Sequence, residues 1–308
     1  MAETTPAPIR ALIINADDFG YNDAITQGII AAYRTGIVTS TSAMVNLPGA
    51  PARIAAAHAA EPRLPIGLHL NLTIGRPVLP PSQIPNLVTA DGRFLPHEEL
   101  LPRLPSIPLE QIRAELNAQA SLLNECGLAF DHIDCHQHFV AFSKPIFGLI
   151  AELAVEYSVP VRQPAMKAMP GDLNFSRLDG AGGKIGRAAR GFLRQPKSLI
   201  AYAQQMDWMQ AEKPIADRLG STDWFISSFY GNPTLANLRS ILQHLPAGSS
   251  EMVVHPALDA PEIHTMEEEY RTERLREFAV LTSPEARAEI VRQQVTLIDF
   301  SAVRIPGT

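Results

Sequence analysis

The chain has 308 residues, 46% of them hydrophobic and 19% charged, with a formal net charge of -6. Such a composition supplies a sizeable core and excludes a disordered protein, and the negative balance gives no electrostatic reason to expect a nucleic acid or an anionic membrane as partner. Two cysteines, Cys126 and Cys135, are too few for a disulfide framework, so a reducing, cytoplasmic setting is expected, with neither a signal peptide nor a membrane-spanning run in the sequence.

Ala11-Leu12-Ile13-Ile14 is an apolar, strand-like run that leads into Asn15-Ala16-Asp17-Asp18-Phe19-Gly20. Adjacent strand residues face opposite ways, but at a strand's end, beside a glycine, the chain can turn two carboxylates into one pocket. There they repel unless a cation or a proton intervenes. Taken alone, the hexapeptide fits a plain turn or a helix cap at least as well.

Ile25, Ile29 and Tyr33, four residues apart, predict a helix over 22–34, with Gly36 at its C-terminal end. Residues 37–42 are rich in β-branched types and predict a second strand, 51–60 a helix, and 64–72 a third strand. Alternation in that third strand sets His69 and Asn71 opposite Leu68, Leu70 and Leu72. Residues 75–108 carry Pro77, Pro80, Pro81 and Pro85 and predict an irregular insertion of the kind that forms a lid or a binding loop. A helix over 109–126, stopped by Gly127, precedes a strand over 130–136, a helix over 144–157 and a short strand over 159–162 that ends on Arg162.

Gly171, Gly180, Gly182 and Gly183 interrupt residues 164–196, which predict a second substrate-facing irregular stretch. Lys184, Arg187, Arg190, Arg194 and Lys197 have the spacing of a solvated helix face. A helix over 199–219, an extended stretch over 224–229, a helix over 235–245, a strand over 250–255, helices over 266–281 and 284–293, and a strand over 295–300 complete the order. Alternation of strand and helix from end to end predicts a parallel sheet. The number of units favours one (β/α) barrel domain over 1–308, incomplete or distorted, above a doubly wound sheet.

Functional side chains of such barrels gather at the C-terminal ends of the strands. Those ends offer Asp17 and Asp18, then His69 with Asn71, then Asp134, His136 and His138, then Arg162, and lastly His255 before Pro256. One carboxylate with two imidazoles is a familiar ligand set for a catalytic divalent metal, leaving positions for water and substrate. Alternation along one strand would also put Asp134, His136 and His138 on a shared face. Singly, each has a plainer reading: His69 a hydrogen-bonded core histidine, the 132–138 run a polar edge, Arg162 a counter-ion, His255 a strand end. Their agreement at the ends of different predicted strands carries the metal reading.

In order, Asn15-Ala16-Asp17-Asp18-Phe19-Gly20, Gly36-Ile37-Val38-Thr39-Ser40-Thr41-Ser42, Gly67-Leu68-His69-Leu70, His132-Ile133-Asp134-Cys135-His136-Gln137-His138 and His255-Pro256-Ala257 resemble the YdjC/ChbG family of carbohydrate deacetylases. The resemblance covers nearly the whole chain. It implies a barrel related to that of polysaccharide deacetylases, and removal of N-acetyl groups from amino sugars with one divalent metal. Magnesium is the family's usual metal, while two imidazoles and a carboxylate also suit zinc. Carried over by motif, it implies Asp18, His69 and His136 as metal ligands, Asp17 as general base and His255 as the acid that protonates the leaving nitrogen. Arg162 could then keep Asp17 ionised, and Asp134 could orient a ligand imidazole.

Within the family, Gly75-Arg76-Pro77-Val78-Leu79-Pro80-Pro81 and Asp91-Gly92-Arg93-Phe94 look most like the branch associated with hopanoid lipid biosynthesis. That likeness implies a glycolipid head group as substrate, where other members act on chitooligosaccharides. Cys135 departs from a common serine, and Phe139-Val140 from a frequent histidine. Two rival readings are a metal-dependent phosphoesterase and a non-catalytic sugar- or glycolipid-binding barrel. The first would want two metals and more converging cations than Arg162, and the second has no need of paired carboxylates. A homodimer is compatible with the sequence, which carries no mark of oligomeric state.

Overall fold

The computed structural model describes residues 9–138, 143–162, 219–266 and 270–306. The expected irregular stretch at 164–196, the basic face from Lys184 to Lys197, all but the last residue of the helix expected at 199–219, and Phe139 with Val140 lie outside them.

Seven strands form one sheet in which every ladder is parallel: β1 (Arg10–Phe19), β2 (Ser40–Ala43), β3 (Ile66–Leu70), β4 (Ile133–Cys135), β5 (Trp224–Ile226), β6 (Gly248–Val254) and β7 (Thr296–Leu297). The order is β4-β3-β2-β1-β6-β5, with β7 also beside β1. Ala11 and Leu12 pair with β6 and β7, whereas Asn15 and Ala16 pair with β6 and β2. Since a strand has two edges, β7 and β2 share one edge of β1, and β6 holds the other.

The sheet is curled into part of a barrel. Val161 extends it past β4 by a single parallel bridge to Ile133, yet the next side chain, Arg162, bonds to Asp17 on β1 and Glu251 on β6. Neighbouring strands lie about 4.8 Å apart, so a flat sheet would hold those groups beyond the reach of one arginine. Strand alternation sorts the residues between the two faces. Leu12, Ile14 and Ala16 point to the large helix-covered core, whereas Ile13 meets Phe300 and Val303 on the concave side, the side that also takes Asn15 and Asp17.

Nine helices are described: α1 (Asp23–Thr35), α2 (Ala50–Ala60), α3 (His97–Arg103), α4 (Leu109–Glu125), α5 (Lys144–Tyr157), α6 (Leu235–His244), α7 (Pro261–His264), α8 (Thr272–Leu281) and α9 (Pro284–Arg292). α1 begins where the Asn22 side chain accepts the Ile25 N–H at 2.8 Å and buries Ile25 and Ile29 against the sheet. No described helix is long and apolar enough to cross a membrane.

Several predicted boundaries move. The second strand begins at Ser40, three residues late, and the last keeps two residues of the six expected. Val159 to Arg162 contributes one bridge residue in place of a strand. The insertion at 75–108 is more ordered than its prolines suggest. It contains α3 and a bridge between Val88 and Phe94, and it buries Ile84, Leu87, Phe94, Leu95, Leu100 and Leu101 in the main core. Apolar residues scattered without a period carried that packing, and a periodicity reading passes over them.

Candidate metal centre

The end of β1 explains how neighbouring carboxylates reach one place. Ala16 is opposite Thr41 but Phe19 is opposite Ala43, so β1 spends three steps where β2 spends two, and Asp18 has a φ of 73°. The extra residue is a bulge, and aspartate is among the few side chains that tolerate the left-handed region. By strand parity Asp18 would face the helices; the bulge turns it to the concave side with Asp17. Gly20, at φ 90°, completes the turn.

His69 comes from β3, where it sits in register with Asp134 of β4. Its Nδ1 is 2.7 Å from Asp134 Oδ1 and 3.1 Å from Ser42 Oγ, which orients the ring and leaves Nε2 aimed at Asp18 Oδ1, 3.5 Å away. His136 arrives differently from the expectation. β4 ends at Cys135, and residues 136–138 form a helical turn with Gln137 and His138 at positive φ. The shared face proposed for Asp134, His136 and His138 therefore does not exist, because alternation stops before His136. The turn nonetheless carries His136 Nδ1 to 3.1 Å from Asp18 Oδ1 and 3.3 Å from His69 Nε2. His138 is turned aside and meets the Phe225 ring edge-on, where burial and Arg162 push its imidazole down to about 3.

Asp18, His69 and His136, all buried, offer three donor atoms within 4.8 Å of one another and could hold a metal ion. Asp17, His69 and Asp134 converge as closely, but the Arg162 guanidinium already occupies both of those carboxylates. The first set therefore fits a cation better. Its second carboxylate oxygen, Asp18 Oδ2, accepts from Arg274 at 2.5 Å, leaving Oδ1 toward the two imidazoles.

Arg162 is the hub beneath. It forks onto Asp17 at 2.6 and 2.8 Å, reaches Asp134 at 2.7 Å and gives its Nε to Glu251 at 2.7 Å. Burial would raise Asp17, but this guanidinium holds it below the usual carboxylate value. Burial opposes charge on His69 as well, yet Asp134 and Asp17 push it up to about 10. Asp18 lies well below an ordinary aspartate despite its burial, because Arg274 faces it. Two arginines, Arg162 and Arg274, and the His69 ring thus face the pocket's carboxylates.

His255 follows β6, half-buried, with its backbone N–H donated to Glu277, and it stands outside the Asp18, His69 and His136 group. Asn71 builds a turn, accepting from the N–H groups of Thr73 and Ile74 at 3.0 and 3.1 Å. Sequence reasoning passed over Ser42, Glu251 and Arg274. Ser42 stood in a run read as strand and quoted for the family likeness but given no role of its own, Glu251 lay four residues before the histidine that drew attention, and Arg274 sits on α8 with nothing in its spacing to mark it.

A family model described as YdjC-like protein matches residues 11–292. A carbohydrate deacetylase of Brevibacillus brevis is 30% identical over 294 residues, which span 94% of this chain and 98% of the relative. One from Geobacillus stearothermophilus is 31% identical over 296 residues, 94% and 97% of the two chains. A chitooligosaccharide deacetylase of Proteus mirabilis is 40% identical over 169 residues, 53% of this chain and 62% of that protein. A crystal structure from Enterococcus faecalis V583, described as a cellobiose-phosphate cleavage protein, superposes with a TM-score of 0.72 at 27% identity, covering 96% of this chain and 98% of that one.

Proposed function

The chain belongs to the YdjC-like family, and from that premise we propose that it hydrolyses the N-acetyl group of an amino sugar with the help of one divalent metal ion. Its full-length relatives are named carbohydrate deacetylases, so the reaction class is hydrolysis of an amide C–N bond. The observation that carries the finer reading is the convergence of Asp18 Oδ1, His69 Nε2 and His136 Nδ1 beside an Asp17 that stays out of that set.

An amide resists water because its carbonyl is a weak electrophile and its nitrogen a poor leaving group. Asp18, His69 and His136 would hold the ion, which when bound supplies Lewis-acid activation of water and of the acetyl carbonyl. Asp17 accepts the proton of the attacking water, and Arg162 keeps it an ionised carboxylate ready to do so. Asp134 fixes the His69 ring, and Arg274 fixes Asp18. His255 gives a proton to the nitrogen as the C–N bond breaks, so that acetate and a free amine leave. Magnesium and zinc are both compatible with one carboxylate and two imidazoles.

The phosphoesterase alternative is disfavoured by the same contacts. Arg162 is saturated by three carboxylates and Arg274 faces Asp18, so neither cation is available to a phosphate. Incubation with N-acetylated mono- and oligosaccharides, and with an N-acetylglucosaminyl lipid, tests the proposal by released acetate. Acetate that appears with added metal and disappears with chelator is the expected result. No acetate from any of these substrates would overturn it.

A further inference from the structure

Loops that follow parallel strands open on the C-terminal side of the sheet, so the turn after β5 and the segment after β6 lie on the same rim as Asp17 and Asp18. Those two segments bring Tyr230 and Tyr270 together with ring centroids 4.1 Å apart and planes 14° from parallel. His255 stands edge-on to both, 5.4 Å from Tyr230 and 5.8 Å from Tyr270. Tyr270 is fixed from below: its hydroxyl donates to Glu277 Oε1 at 2.5 Å and accepts the Gly231 N–H at 3.1 Å. Glu277 is fully buried, and its other oxygen takes the backbone N–H of His255. One carboxylate thus locks the tyrosine pair and His255 into a single unit. Tyr230, on top of it, is 42% exposed.

We propose that Tyr230, backed by Tyr270, is the platform on which the apolar face of a pyranose ring stacks, setting the ring that bears the acetamide beside His255. The proposal rests on the deacetylase reading above and adds to it the element that recognises the sugar. A pyranose with equatorial hydroxyls turns C–H groups outward on its faces, and the electron-rich face of an aromatic ring receives them. A platform held rigid before binding loses little further freedom when the sugar arrives. His255 stands edge-on beside the Tyr230 ring, 5.4 Å between centroids, so a sugar lying on Tyr230 sits next to the proposed proton donor. The sugar is thereby recognised by shape and apolar area, and the nitrogen is delivered to the proton donor.

Binding of N,N′-diacetylchitobiose to full-length protein carrying Asp17→Asn, loaded with metal and followed by calorimetry, reads the platform without turnover. Adding Tyr230→Ala should weaken the affinity roughly 3- to 10-fold, while Tyr230→Phe should stay within about twofold of the parent. An unchanged affinity in Tyr230→Ala, an equal loss in Tyr230→Phe, or no binding to the parent would overturn the platform. Acetate release by the unsubstituted protein separates the two readings. Acetate with no effect of Tyr230→Ala on binding removes the platform alone, and Tyr230-dependent binding without acetate from any sugar removes the deacetylase reading alone.

Discussion

Asp17 and Asp18 share a peptide bond and a pocket but answer to different arginines, Arg162 for the first and Arg274 for the second. Their substitutions should therefore separate. Asp18→Ala is expected to abolish metal uptake and activity together, whereas Asp17→Asn should bind metal as before and lose turnover by about 10²- to 10⁴-fold; metal analysis beside kcat checks both. Full activity in metal-loaded Asp17→Asn would remove Asp17 as base. Arg162→Met leaves Asp17, Asp134 and Glu251 buried without their shared counter-ion, and urea unfolding should show a loss of about 3–5 kcal/mol. At this scale the sequence was informative about residue types and poor about partners. Asp18, His69 and His136 could be picked from separate stretches because histidines and paired aspartates are conspicuous at strand ends. Arg274 could not, since its contact with Asp18 spans 256 positions and only the folded chain makes it.

Strands and helices were legible where a period ran long enough to be counted. α5 forms over the residues its spacing predicts, and α1 and α2 are displaced by about one residue. The short strands drifted, because three or four residues carry too little alternation to fix their ends, and the turn that presents His136 was taken for strand. Close approach between elements was illegible for a different reason. Gly67 of β3 lies under the His132 ring, where an added Cβ would come within 2.3 Å of it, and that ring is stacked on Phe300 with centroids 3.7 Å apart. Gly67→Ala must therefore push a wedged side chain, and a destabilisation of about 1–3 kcal/mol is expected in thermal or urea unfolding, with an unshifted midpoint counting against the wedge. Glycine in a strand reads as weakness from sequence; here its missing side chain is space that a histidine fills.

The curled parallel sheet as a whole was foreseeable from the alternation of strand and helix, but the place of β7 was not, because it enters below β2 on an edge that no local pattern marks. Two global measurements follow. Metal at a hundredfold its Kd should stabilise the folded chain by about 2.7 kcal/mol, visible as a rise in Tm that chelator reverses and Asp18→Ala lacks. Burial raises Glu277 from 4.5 to about 7, so the folded protein binds a proton there that the unfolded chain has released. That contribution to stability is complete below pH 4.5 and is lost as pH rises through 7; Glu277→Gln should flatten the corresponding slope of unfolding free energy against pH, and an unaltered slope would exclude Glu277 as its source. The central position of β1 has a kinetic side. Flanked by β6 on one edge and by β7 and then β2 on the other, its backbone amides between Ala11 and Ala16 are sealed along the strand. They should exchange with deuterium only through global opening, more slowly than those of the rim segments around Tyr230 and Tyr270. Asp17 and Asp18 thus ride at the end of a strand paired on both edges, so new substrates are to be sought by remodelling its rim and not its base.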